Sequence, residues 1–163
     1  MAYPRSQVTV TNKGPVVSGR ISETMAQAQR KWLTGVLRTL RDDVRILGPR
    51  DTGAFARSVV YRTRRRGMIV EGEVYSTDSP DGKVAVIEFG RLPGRKMPPR
   101  GALLGWMARH GIEPRAEFLI RRKIARDGIP AVAPFRKAFR LRRGLLQSQA
   151  RNLQSTLVTA LNR

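Results

Sequence analysis

Between Ile21 and Leu47, apolar residues recur every three or four positions: Ile21, Met25, Ala28, Trp32, Val36, Leu40, Val44 and Leu47. That spacing returns to one side of an α-helix, so the segment must bury one long stripe. Gly48-Pro49 then ends it, because proline lacks an amide proton and disfavours helix in the residue before it. Four-residue steps dominate over a strict heptad, which suits a helix laid on a sheet better than a coiled-coil seam.

The sheet is expected downstream. Ser58-Val59-Val60-Tyr61 and Met68-Ile69-Val70, continuing to Val74-Tyr75, flank Arg64-Arg65-Arg66-Gly67 and predict a hairpin with a basic tip. After the turn signal Ser79-Pro80-Asp81-Gly82, the run Val84-Ala85-Val86-Ile87-Glu88-Phe89 predicts a third strand. Residues 90–101 mix glycine and proline with Arg91, Arg95, Lys96 and Arg100, a basic irregular loop. Short helices follow at about 102–110, ended by Gly111, and about 115–127, ended by Gly128. Pro134 suits the first turn of a last helix, whose apolar positions Phe135, Phe139, Leu146, Ala150, Leu153, Leu157 and Leu161 keep helical spacing. The fold class is α+β: a long N-terminal amphipathic helix packed on a small antiparallel sheet, with short helices and a basic C-terminal helix.

Residues 1–19 hold Pro4, Gly14, Pro15 and Gly19 around the alternating run Val8-Thr9-Val10-Thr11. They predict an extended arm, either frayed or able to pair with a neighbouring subunit's sheet edge. The organisation expected is this arm at 1–19, a single α+β domain at 20–139 and a basic helical extension at 140–163.

Charge sets the partners. Lys and Arg total 32 against 12 Asp and Glu, a formal net charge of +20, which calls for a polyanionic or acidic partner. The last carboxylate is Asp127, and beyond it Arg136, Lys137, Arg140, Arg142, Arg143, Arg151 and Arg163 have no acid in their own segment. The chain has no cysteine, which excludes disulfides and thiolate chemistry. No apolar stretch reaches bilayer length and the N-terminus lacks a signal-peptide core, so a soluble protein made in the cytoplasm is expected, with no membrane partner.

Candidate chemistry fails on spacing. Asp51-Thr52-Gly53-Ala54 carries the tripeptide of dimeric aspartic proteases, but Gly48-Pro49-Arg50 precedes it where that family has an apolar strand. Gly48 and Gly53 have phosphate-loop spacing, yet Ala54-Phe55 stand where Lys and Ser or Thr are required. His110 is the only histidine, which denies a multi-histidine metal site or an ordinary histidine relay; beside Gly111 it reads as a capping or surface residue. Trp32 and Trp106 fall on apolar helical faces and read as core. No enzyme, cofactor or metal is expected. The Asp51, Thr52 and Gly53 triplet reads as a structural turn, its Asp and Thr oxygens bonding nearby amides and its glycine free of the Cβ penalty.

In order and spacing these pieces resemble one family, the phage tail-component proteins of the head–tail neck, also described as neck, tail-completion or minor tail proteins of long-tailed bacteriophages. The resemblance runs from the first helix to about Phe139. It is carried by Pro49-Arg50-Asp51-Thr52-Gly53 leading to Ser58, by Ile87-Glu88-Phe89-Gly90, and by Pro98-Pro99, Leu104 and Trp106. The run Phe118 to Ile124, Gly128-Ile129-Pro130 and Pro134-Phe135 complete it. The family's Tyr-Ala pair before Glu-Phe-Gly is Val84-Ala85 here.

The resemblance implies a structural virion subunit at the head–tail junction, assembled as a sixfold or twelvefold homo-oligomeric ring and docked on head-connector and tail proteins, with possible contact to packaged DNA. Arg64, Arg65, Arg66, Arg91, Arg95, Lys96, Arg100, Arg142 and Arg143 are the expected interaction residues. Glu88, a rare acid before a basic loop, is expected to pair with an arginine within the subunit or across an interface. The competing reading from charge alone is a basic nucleic-acid-binding module. Without aromatic residues among the arginines, base stacking is not expected of it.

Overall fold

A computed structural model describes residues 7–12, 19–66, 69–78 and 82–161. The long stripe forms helix α1, Gly19–Leu47, and Gly48 closes it with its amide on the Val44 carbonyl at 3.0 Å. Its buried side is Met25, Ala26, Gln29, Leu33, Val36, Leu37, Leu40 and Val44. The stripe is therefore turned slightly from the expected one: Leu33 and Leu37 sit deepest, while Ala28 and Trp32 are only part-buried. Each such leucine removed from water contributes about 1.5–3 kcal/mol.

The hairpin is strand β2, Val59–Arg66, antiparallel to β3, Ile69–Ser76, with Val59 opposite Ser76 and Arg66 opposite Ile69. Arg64, Arg65 and Arg66 thus belong to β2 itself; Gly67 and Met68, at the expected tip, lie outside the described residues, as do Ser79, Pro80 and Asp81 of the next turn. Between the Asp51–Gly53 turn and β2 stands a one-turn helix, α2, Ala54–Ser58, so Ser58 ends a helix instead of opening the strand.

The third strand is not where it was expected. Residues Val84–Phe89 lie in helix α3, Lys83–Phe89, which buries Val84, Ala85 and Glu88 at helical spacing. An alternating apolar run has high strand propensity, but packing overrides it, since only a helix puts Val84, Ala85 and Glu88 on one side. The sheet is completed instead by strand β1, Gln7–Asn12, from the N-terminal arm, paired antiparallel with the central β3 from Gln7 opposite Tyr75 to Asn12 opposite Val70. The arm's flanks, 1–6 and 13–18, lie outside the described residues, as does Arg163.

Helix α1 packs on β2 and β3, and the last helix, α6, Pro134–Leu161, lies along α1 and reaches β1. Helix α6 runs unbroken across residues 139 and 140, the expected boundary of a separate extension, and Leu146 packs on the common core. Its Arg142 forms a two-pronged pair with Asp43 of α1, at 2.6 and 3.0 Å. The basic segment is thus partly balanced by an acid distant in sequence.

Helix and sheet meet most closely at Gly72 in the middle of β3. A Cβ there would stand 2.5 Å from Leu37 Cδ1 and 3.0 Å from Leu33 Cδ2. Glycine is required for this approach, not for a turn. Gly72→Val is expected to destabilise the fold by about 1–3 kcal/mol through overpacking, read as a lower urea midpoint with an unchanged denaturant slope.

Candidate docking surface

Helix α6 begins with an uncapped turn. Ala133, at φ 55°, precedes Pro134 and accepts the first helical bond from Lys137 at 3.0 Å, but has no side-chain oxygen for the free amides of Phe135 and Arg136. Glu88 of α3 supplies it: Oε2 accepts from the Phe135 amide at 3.0 Å and Oε1 from the Arg136 amide at 3.1 Å. A carboxylate at a helix N-terminus is favoured by both hydrogen bonding and the macrodipole. Arg136 closes the arrangement, its Nε donating to Glu88 Oε1 at 3.1 Å and its Nη2 to the Glu88 carbonyl at 2.6 Å. Glu88 is 2% exposed, so the expected arginine partner is found within the subunit.

Around this cap two stretches of chain are clamped. The Ile87 carbonyl accepts from the Val132 and Ala133 amides, and Arg91 and Ile129 exchange both backbone bonds at 2.8 and 2.9 Å. Gly90 and Gly128 flank that bridge at φ 74° and 76° with ψ near ±180°, a region open essentially only to glycine. A Cβ on Gly128 would stand 2.2 Å from the Arg91 carbonyl oxygen. Glu88-Phe89-Gly90 and Gly128-Ile129-Pro130, far apart in sequence, are two sides of one joint.

From this joint projects an arm, residues 91–128: the basic loop, helix α4, Leu104–Arg109, a 3-10 turn at Pro114–Ala116, and helix α5, Glu117–Asp127. The loop folds onto α5 through Arg121 Nε on the Pro98 carbonyl at 2.7 Å, the Gly94 amide on the Ala125 carbonyl at 2.8 Å and the Gly101 amide on Glu117 Oε1 at 2.6 Å. Met107 is the arm's buried apolar anchor at 1% exposure. Helix α5 buries no residue: Phe118 is 55% and Leu119 64% exposed, and Leu92 in the loop 66%. Arg95, Lys96 and Arg100 are exposed on the same arm, and Arg91 donates through Nη2 to the Lys96 carbonyl.

The arm is tied to the body a second time. Asp51 receives Arg109 of α4 in two-pronged fashion, Nη2 at 2.6 Å and Nε at 3.1 Å. The expectation that Asp51 bonds nearby amides is therefore corrected. Thr52 alone does so, its Oγ1 accepting from the Ala54 amide at 3.3 Å, while Gly53 takes the left-handed turn at φ 70°. Hydrogen bonding from Arg109 holds the Asp51 carboxyl below its ordinary range and raises Arg109 in return. Asp127 at the far end of α5 is lowered to about 2, chiefly by its hydrogen bonds from Arg126.

Trp106 is not core: it is 38% exposed and stacks on His110, ring centres 4.7 Å apart. His110 sits exposed at the end of α4 with Nδ1 2.9 Å from the Trp106 carbonyl. Among the described residues, no group of three or more His, Cys, Asp or Glu side chains is placed to hold a metal ion. Nor is any helix among them long and apolar enough to cross a membrane.

No family model, curated protein or solved structure matches this chain.

The remaining expected interaction residues lie apart from the arm. Arg64 and Arg66 are exposed on β2, where Arg64 stands opposite Glu71 and Arg62 opposite and paired with Glu73. Arg65, in register with Val70, lines a hollow of about 240 Å³ with Glu23 and Arg30 of α1. Arg142 is engaged by Asp43, and Arg143 is exposed on α6. The structure gathers Glu88, Arg91, Arg95, Lys96 and Arg100 at one joint and arm, and leaves the hairpin and α6 arginines on other surfaces. Reading the sequence did not single out Arg109, Arg136 as the partner of Glu88, or the exposed pair Phe118-Leu119. Three successive apolar residues, Phe118-Leu119-Ile120, in a short helix were the available signal, since they cannot share one buried face.

Two outcomes are expected. Glu88→Ala leaves two helix-start amides without their acceptor and is expected to lower stability by about 3 kcal/mol, with Glu88→Gln losing less, compared by thermal melts followed by circular dichroism. The Asp51–Arg109 tie favours ionised Asp51 in the folded chain, so its contribution is complete above the ordinary carboxylate range and disappears as pH falls through the lower folded value. Asp51→Asn is expected to melt earlier at neutral pH and to lose less of its melting temperature than the wild type between about pH 5 and pH 2.

Proposed function

We propose that this chain is a structural subunit of the head–tail junction of a long-tailed phage particle, acting by ring assembly and by docking on neighbouring connector and tail proteins, with no catalytic role. The observation that carries the reading is the arm. An isolated chain has no reason to hold Leu92, Phe118 and Leu119 in water on an element that buries almost nothing of its own, and large apolar residues exposed along an arm that also carries exposed arginines are what an interface requires. The joint supports it as well. The segments that carry the resemblance to neck proteins, Glu88-Phe89-Gly90, Gly128-Ile129-Pro130 and Pro134-Phe135, touch one another there and set the arm's direction. The same holds for Asp51-Thr52-Gly53, through Arg109 and through the edge-on contact of Phe55 with Phe135 at 6.4 Å. In this reading the protein is made in the host cytoplasm and ends in the virion.

Gold-labelled antibody electron microscopy of particles tests it. Label confined to the head–tail junction is expected with the wild-type chain. Particles assembled with the double substitution Phe118→Asp and Leu119→Asp are expected to lack label, while the purified variant keeps wild-type helicity because both side chains already face solvent. Unlabelled wild-type particles would end the proposal.

A further inference from the structure

Helix α6 has two faces of different character. Phe135, Ala138, Arg142, Leu146, Ala150 and Leu153 are buried or half-buried toward the body, whereas Arg136, Arg140, Arg143, Gln147, Arg151 and Gln154 are all exposed. The exposed positions are spaced by three or four residues and form a single column along the helix. Arg136 is taken by Glu88, and Arg140, Arg143 and Arg151 have no carboxylate partner among the described residues. Like charges at three- and four-residue spacing cost helix stability unless something anionic lies opposite. From Arg136 to Arg151 the helix rises about 22 Å at about 1.5 Å per residue.

We infer that this column is a binding face for the phosphate backbone of duplex nucleic acid, gripped without regard to sequence. A second copy of the chain is a poor occupant: Asp43 of α1, Glu73 of β3, Glu88 of α3 and Asp127 of α5 already pair with bases of their own molecule, and no carboxylate lies beyond Asp127. An acidic protein is disfavoured by what the column lacks. Phe139, 37% exposed, stands beside its start, but from Arg140 to Gln154 the column is arginine and glutamine, and this stretch offers no desolvated anchor of the kind protein interfaces are built around. Arginines separated by polar residues, on a rigid rod, match a wet contact with regularly spaced phosphates. Phosphate contacts of this kind position the duplex and carry no sequence information. The inference rests on the charge pattern of α6 and stands or falls separately from the arm and the neck assignment.

Fluorescence anisotropy with the full chain tests it, using two labelled DNA duplexes of unrelated sequence, each about 30 base pairs, from about 50 to 200 mM salt. Equal affinity for both duplexes is expected, with log affinity falling linearly against log salt. Replacing Arg140, Arg143 and Arg151 by Gln is expected to make that slope shallower by about 2.7, since each phosphate no longer neutralised removes about 0.9. Replacing the same three by Lys should restore most of it. The control replaces Arg115, Arg122 and Lys123 of the arm by Gln, which removes equal charge and should leave the slope near wild type. Equal loss in both Gln triples would reduce the effect to overall charge and overturn the inference. So would DNA binding that is absent, or that the column variant does not change, and so would tight binding of poly-L-glutamate abolished only in the column variant, which would assign the face to an acidic protein.

Discussion

The carboxylate of Glu88 is the contact on which the rest of this structure turns. Helix α6 starts at a proline preceded by an alanine, a sequence that provides no cap of its own, and its first amides would face a dry interior unpaired. A buried anion is costly when isolated, but here it is met by two amides, a guanidinium and the positive end of a helix dipole. The interaction works in both directions: the helix start makes Glu88 tolerable, and Glu88 makes the helix start possible. Because α3 and α6 are fixed to each other there, the crossing of residues 87–91 with 129–133 follows, and with it the place where the arm leaves the body.

This explains why α3 is a helix. Val84 to Phe89 reads as a strand by composition, and a strand would have sent Ile87 and Glu88 to opposite faces. As a helix the segment places the Glu88 side chain on the start of α6 while the Ile87 and Glu88 carbonyls, freed at the helix end, accept from the incoming chain. Local preference gave way to a set of hydrogen bonds between residues more than forty apart, and no local pattern could have announced it.

Other parts were legible for equally physical reasons. Helices α1 and α6 are long and periodic, so many residues favour each, and both appear at the expected places. The hairpin was visible from its β-branched runs, although its arginines extend β2 instead of turning it. The third strand was missed because a six-residue run near a terminus is too short to show on which sheet edge it pairs. In the candidate site, Glu88 was recognisable as a rare acid expected to find an arginine. Its partner Arg136, and Arg109 for Asp51, were not, since in a chain with 32 basic residues sequence alone cannot say which base folds onto which acid.

The joint at Arg91 and Ile129 has a topological meaning. The arm departs and returns through neighbouring backbone positions, so the chain between them is an insertion in a body whose core, α1, the sheet and α6, closes without it. Apart from the Arg109 tie to Asp51, residues 92–127 can therefore lengthen, shorten or change surface while the two glycines and the bridge keep the doorway the same width. Such an architecture separates what must stay constant for folding from what can vary without disturbing it, and makes the arm the natural place to accept a foreign segment.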